Sequence, residues 1–198
     1  MTRSVAPVLT ALLALTAANV SVAASPTPSP EILSLTKALA GTWAVEDTFA
    51  PLGDNQDSIS TPKGGRGHGV QVWRAGPGGF TFMEEEHNYT PAGEVFIVGY
   101  TWWDATRKRF GGMECNSQWP NGCDLASAMS LVDLSWDGKR FVVDIRSEKD
   151  PKKLVWREVF SDITPTTFLQ TADVAMPDGS MKRWLTIHAT RIHTERGR

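Results

Sequence analysis

Two glutamates in the first half of the chain have the type and spacing that acid–base chemistry needs. Glu84 and Glu86 are separated by one residue in a stretch, Phe80 to His87, that has the composition of a β-strand. Because alternate residues of a strand point to the same face, the two carboxylates lie roughly 6.6 Å apart on one side, which overlaps the separation in inverting glycosidases. A hydrolase that uses these carboxylates, with His87 beside them, is therefore one hypothesis.

Other catalytic and metal chemistries lack the residues they need. The Gly-x-Ser-x-Gly pattern of nucleophile-elbow hydrolases does not occur in the sequence. His188 and His193 are five residues apart in a predicted strand, hence on opposite faces, so they do not chelate one metal ion. We assign no catalytic residue, no metal ligand and no cofactor from these patterns.

The chain has two cysteines, Cys115 and Cys123. The residues between them include Trp119 to Gly122, a sequence with Pro and Gly where a tight turn accepts them. There is neither a Cys-x-x-Cys motif nor a second cysteine pair that would complete a zinc site. In an exported protein this even count predicts a structural disulfide.

The N terminus has the pattern of a secretory signal peptide. Arg3 supplies a positive charge, an apolar run extends from Val5 to Ala18, and small residues occupy the cleavage region from Val22 to Ala24. The apolar run is shorter than the roughly 20 residues that a membrane-spanning helix needs. We predict that residues 1–24 are removed, that the product is periplasmic or secreted, and that it has no membrane span.

The remaining chain is predicted to hold a Pro/Ser spacer at residues 25–29 and one domain at residues 30–198. Removing residues 1–24 takes away one arginine and no acid, so 19 basic and 22 acidic residues remain, a formal charge of −3. The basic residues are scattered, which excludes the footprint of a nucleic-acid-binding protein. About 170 residues suit a single domain that buries about 70% of its unfolded surface.

The pattern of apolar residues changes from helical to strand-like at Thr42. Ser29 and Pro30 form a helix start, and apolar residues spaced by three and four predict one short helix that ends before Gly41. From there a two-residue period predicts ten strands with no helix between them. They are Thr42 to Phe49, Gly69 to Arg74, Phe80 to Asn88, Glu94 to Trp103, Arg109 to Cys115, Ala126 to Trp136, Arg140 to Arg146, Leu154 to Ser161, Thr166 to Val174 and Met181 to Ile192.

Most connections between these strands are too short for anything but a hairpin, which predicts an antiparallel meander. Closing such a meander removes its exposed edges, so the predicted fold is all-β, an up-and-down barrel of about 8–10 strands with one N-terminal helix. One connection, from Phe49 to Gly69, is much longer. Loops of that length often act as lids or binding loops.

The order of these parts resembles the lipocalin-like (calycin) barrels. Leu39 to Trp43, Val72 to Gly79, Thr101 to Asp104, the cysteine pair, Glu158 to Pro165 and Met181 to Trp184 are similar to an uncharacterised family of exported bacterial proteins assigned that fold. The resemblance implies a fold and no activity. In calycins the Trp of Gly-x-Trp closes one end of the barrel under a basic residue of the last strand. Here that implies Trp43, with Arg191 or Arg183 over it.

The barrel is expected to bind a small apolar or amphipathic ligand. Alternation along the strands gives a set of inward-facing candidates: Phe80, Phe82, Glu84, Glu86, Trp103, Phe141 and Val143. Two alternatives stay open, the hydrolase above and a haem barrel, because related barrels hold haem through a histidine near the C terminus. His188 would be that ligand, on the side of Trp184, although Ala44 to Asp47 replaces the glycine pattern of those haem barrels.

Overall fold

A computed structural model describes residues 26–52, 63–118, 123, 132–147 and 149–192, and the structural statements below concern these ranges. The predicted helix is α1, Pro30–Leu39. Ser29 precedes it in an extended conformation, and its Oγ accepts a hydrogen bond from the backbone N–H of Ile32 at 3.3 Å. The helix ends where Gly41, at φ 157°, begins the first strand.

Ten strands follow the helix, as the two-residue period predicts. They are β1 Gly41–Phe49, β2 Gly65–Ala75, β3 Thr81–Thr90, β4 Gly93–Asp104, β5 Arg109–Asn116, β6 Val132–Trp136, β7 Phe141–Arg146, β8 Leu154–Ser161, β9 Thr167–Ala175 and β10 Met181–Arg191. Each strand pairs antiparallel with its neighbours in the chain, and β1 also pairs with β10. The result is a closed up-and-down barrel, which confirms the predicted lipocalin-like fold class.

The barrel has two chemically different ends. At the end that we call the helix end, α1 buries Ile32, Leu35 and Leu39, and the backbone carbonyl of Leu39 accepts a hydrogen bond from Trp43 Nε1 at 2.9 Å. At the opposite end, the loop end, β1 is joined to β2 and β9 to β10. The apolar face of the helix therefore covers one mouth of the barrel.

One strand start lies more than two residues from its sequence-based position. β2 begins at Gly65 rather than at Gly69, because the glycine-rich stretch pairs with β1 as far as Phe49. The expected lid is therefore shorter, and its residues 53–62 lie outside the described part. The strand expected from Ala126 is described from Val132, where its Leu134 pairs with Phe110 of β5.

The predicted disulfide between Cys115 and Cys123 is confirmed, and the two residues also form an isolated antiparallel bridge. The predicted signal peptide, residues 1–24, lies outside the described residues. Within the described part, no helix combines the length and the apolar character that crossing a membrane requires.

Candidate functional site

A layer of polar side chains crosses the barrel interior between two aromatic clusters. The helix-end cluster consists of rings in mutual contact: Trp43, Trp73, Phe82, Phe141, Phe160 and Phe168. The loop-end cluster is Trp184 with Phe49 and Trp156, each at a centroid distance of 5.3 Å. We call the side chains between them the polar layer: Asp47, Gln71, Glu84, Glu86, Asn88, Glu114, Glu158 and Gln170.

Strand register brings the polar layer together. Gln71 of β2 pairs with Glu86 of β3, and Gly99 of β4 pairs with both Glu84 and Glu114. Gly99 makes room for this arrangement, since a Cβ there would meet Glu84 Oε2 at 2.7 Å. The layer thus draws its acids from β1, β3, β5 and β8, which only closure of the barrel makes neighbours.

A chain of amide hydrogen bonds links the helix-end cluster to the polar layer. Trp73 Nε1 donates to Gln71 Oε1 at 3.2 Å, and Gln71 Nε2 donates to Gln170 Oε1 at 3.2 Å. Gln170 Nε2 then donates to Glu158 Oε1 at 2.5 Å. Every donor in this chain is directed toward Glu158, so the two buried glutamines are satisfied and hold that carboxyl group in place.

Glu84 and Glu86 form a hydrogen-bonded pair of carboxyl groups inside the barrel. Glu86 is 7% exposed, and its Oε2 also accepts a hydrogen bond from Asn88 Nδ2 at 2.7 Å. Desolvation raises the pKa of both glutamates, and the charge of Glu86 raises that of Glu84 further. The direct contact does not fit the wider carboxylate separation of an inverting glycosidase, so the geometric basis of that hypothesis was wrong.

Asp47 is a buried carboxyl group with an unpartnered oxygen. It is 3% exposed, and no group in the described structure donates to its Oδ1. Burial, and then the nearby charge of Glu86, raises its pKa from 3.8 to about 7. Asn88, 5% exposed, has an unpartnered Oδ1 as well.

Two glycines of β2 leave the space that these two oxygen-bearing groups occupy. A Cβ at Gly67 would meet Asp47 Oδ2 at 3.0 Å, and a Cβ at Gly69 would meet Asn88 Oδ1 at 2.0 Å. Gly67 and Gly69 are two positions apart on one face of a strand, so the positions of their missing side chains are about 7 Å apart. The absence of side chains at these glycines makes the space that the two polar groups occupy.

The remaining acids of the polar layer are only partly buried. Glu84, Glu114 and Glu158 point inward, yet each keeps part of its surface accessible. Desolvation, followed by the charges of Glu158 and Glu86, raises the pKa of Glu114 to about 8. Desolvation likewise raises the pKa of Glu158 to about 7, although the hydrogen bond from Gln170 acts to lower that pKa. The partial exposure of these three residues indicates a small space at mid-barrel, which we call the recess.

Among the residues that the structure describes, no basic side chain pairs with the acids of the polar layer. In the described strands, basic side chains other than Arg191 lie outside the barrel, where several pair with outer acids: Arg74 with Glu85, His87 with Glu94, Arg146 with Asp133, Arg157 with Asp144 and Arg183 with Asp173. Within the described residues, no three or more His, Cys, Asp or Glu side chains are grouped to hold a metal ion.

Arg191 lies at the helix end, far along the barrel from these acids. Its guanidinium carbon is 4.0 Å from the centroid of a Trp43 ring, and its Nη1 donates to the backbone carbonyl of Ala40 at 2.7 Å. The structure thus places Arg191, and not Arg183, over the tryptophan in the position that the calycin resemblance implies. Burial lowers the pKa of Arg191.

The other predicted ligand-binding residues occupy different places. Phe82 and Phe141 are 2% and 4% exposed within the helix-end cluster. Trp103 and Val143 are partly buried against the core, and Trp103 contacts Phe110 edge to face at 5.0 Å. Phe80 is wrongly assigned to the interior: it is 40% exposed, because the turn before β3 extends through it and the strand begins one residue later.

The two histidines of the alternative hypotheses, His188 and His87, face away from the barrel interior. His188 is exposed and lies outside the barrel, level with Glu46 and Leu169 of the neighbouring strands. A register shift between Arg183 and Leu185 breaks the alternation on which its assignment to the side of Trp184 rested. His87 also faces outward, with its Nε2 2.6 Å from Glu94 Oε1, so it does not join the interior carboxyl groups.

Sequence reasoning missed most of the polar layer. Asp47 follows Trp43 and Val45 at two-residue spacing, so alternation alone would have placed it inside. Glu158 stands between Trp156 and Phe160 in the same way. Gln71, Gln170 and Glu114 carry the same period-two signal, but an acid or amide in a strand is usually on the solvent face.

Comparison with known proteins supports the fold and nothing finer. No family model matches the chain, and no curated protein matches it. The crystal structure of Rv2717c from M. tuberculosis is similar, with a TM-score of 0.53 and 13% sequence identity over 84% of this chain and 99% of that chain. At that identity the likeness is one of barrel architecture.

Proposed function

We propose that this protein is a binding protein that takes a small amphipathic molecule into the loop-end half of its barrel. The observation that carries the proposal is the contrast between the two halves. At the helix end Trp43, Trp73 and Phe82 are at most 2% exposed, so that half is filled. At mid-barrel, inward-facing residues such as Glu114 and Glu158 are only partly buried.

The lining of this recess suits an amphipathic ligand. Trp156 and Trp184 are partly accessible and form an aromatic wall at the loop end, while carboxyl and amide groups lie below them. Binding pockets combine apolar walls with a few convergent polar groups that fix orientation. We further propose, from the N-terminal pattern, that the protein acts in the periplasm or outside the cell.

Nile red, a neutral apolar fluorophore, tests this proposal. Val143 is the cross-strand neighbour of Glu158 on the inner face of the barrel, so Val143→Phe adds bulk to the recess, whereas Val142→Phe adds the same bulk on the other face of β7. We expect the purified protein to bind Nile red, Val143→Phe to weaken binding at least tenfold, and Val142→Phe to leave it unchanged. Equal binding by all three folded proteins would place the dye elsewhere, and the absence of binding to the unmodified protein would refute the proposal.

A further inference from the structure

We infer that the polar layer binds the cationic head of its ligand, an organic amine whose ammonium N–H groups donate to Asp47 and Asn88. This inference rests on the proposed function and names the ligand class. It starts from two buried acceptor oxygens, Asp47 Oδ1 and Asn88 Oδ1, which have no donor in the described structure. Both belong to side chains at most 5% exposed.

What these oxygens lack is a hydrogen-bond donor. The amide of Asn88 is oriented by its own donation to Glu86, so its oxygen is available only as an acceptor. Asp47, when ionised, is likewise an acceptor. A primary ammonium group brings three donors, and it bonds to a carboxylate at about 2.8 Å. An ammonium group that enters this part of the barrel therefore supplies the donors that both side chains lack.

The negative charge of the barrel interior also favours a cationic ligand. The interior holds Asp47, Glu84, Glu86, Glu114 and Glu158, and the described strands place no basic side chain at their level. A buried carboxylate is stable only when it is paired or protonated. A cation supplies the missing charge, whereas a carboxylate or phosphate ligand would add repulsion to a site that already has too many acids.

Apolar surface lies directly beside the proposed ammonium position. A Cβ at Gly67 would meet both Asp47 Oδ2, at 3.0 Å, and the Phe49 ring, at 3.2 Å. Phe49 contacts Trp184, which contacts Trp156 toward the loop end. An alkyl or aryl tail attached to the amine would lie along these rings, and the ring faces also attract a cation.

Three ligands of equal chain length isolate the head group: n-octylamine, n-octanol and n-octanoate, measured by isothermal titration calorimetry at pH 7.5. We expect octylammonium to bind at least tenfold more tightly than octanol, with octanoate weakest. Asp47→Asn should remove the preference for the amine and leave octanol binding unchanged. Glu46→Gln, an exposed acid on the outer face of the same strand, is the matched control and should change neither.

The possible failures are distinguishable. Octanol or octanoate binding as tightly as the amine, equal weakening of all three by Asp47→Asn, or Ca²⁺ binding in place of the amine would overturn the inference and leave the proposed function standing. Failure of all three ligands to bind while Nile red does so would have the same meaning. Failure of Nile red as well would overturn both.

Discussion

Replacing Asp47 by Asn should stabilise the ligand-free protein at alkaline pH. Burial raises the pKa of this carboxyl from 3.8 to about 7, so between these values the unfolded chain releases a proton that the folded chain keeps. Asp47 therefore does not lower the free energy of unfolding below pH 3.8. As the pH rises from 3.8 to about 7 this residue lowers the free energy of unfolding progressively, and above about 7 the loss is constant. The difference between a pKa of 3.8 and one of about 7 corresponds to roughly 4 kcal/mol of stability.

Asn reproduces the shape of the protonated carboxyl without its ionisation. We expect the free energy of unfolding of Asp47→Asn to exceed that of the unmodified protein by up to about 4 kcal/mol at pH 8, and by about 1 kcal/mol at pH 4.5. For a domain of this size, the difference at pH 8 raises the melting temperature by roughly 8–16 °C.

Urea unfolding followed by tryptophan fluorescence at the two pH values measures this effect, after native mass spectrometry has shown that no ligand is bound. Glu46→Gln removes an exposed acid from the neighbouring position and should shift stability by less than about 0.5 kcal/mol at either pH. If Asp47→Asn were no more stable than the unmodified protein at pH 8, or gained equally at both pH values, the reasoning about the buried carboxyl would be refuted.

Two further predictions concern the framework of the barrel. Replacing both Cys115 and Cys123 by Ser should lower the free energy of unfolding by about 2–3 kcal/mol, because the unfolded chain gains conformational entropy. Urea unfolding should show this as a lower midpoint. An unchanged midpoint would show that the disulfide does not stabilise the fold. Arg191→Ala removes the cation over Trp43 and the donor to the Ala40 carbonyl, so we expect a loss of about 2–3 kcal/mol. Arg191→Lys should recover only part of it, and full recovery would contradict a role for the planar guanidinium.

Local patterns were enough to predict the elements of this fold. The helix start at Ser29, the hairpin turns and the two-residue period are all encoded within a few residues of where they act, and ten strands were placed from them. In β10 the two-residue period does not predict which side chains face inward, because one extra residue interrupts the strand pairing. At the register shift before Leu185, Trp184 turns toward the loop-end cluster and His188 to the outside, which no local signal announces.

The site was less predictable, because alternation gives the face of a residue and not its neighbours. Glu84 and Glu86 were placed on one face correctly, but their contact depends on side-chain conformation. Asp47, Glu114 and Glu158 come from strands far apart in the sequence, so only barrel closure shows that they share an interior. The sequence analysis assigns Gly67, which makes room for Asp47, to the long connection, whereas it is a paired residue of β2.

The polar layer makes the barrel less stable than apolar side chains filling the same space would. At the helix end the same fold uses Trp, Phe and Leu at inward positions, and those side chains pack without unsatisfied groups. At mid-barrel the chain instead places acids whose pKa values burial raises to about 7 for Asp47 and about 8 for Glu114, which destabilises the empty protein at neutral and alkaline pH. Local destabilisation of this kind is typical of binding and catalytic sites. A cationic ligand would remove that destabilisation by supplying the charge and the donors that Asp47 and Asn88 lack. Asp47→Asn should therefore stabilise the empty barrel and, by removing the same carboxylate, weaken its binding of an amine.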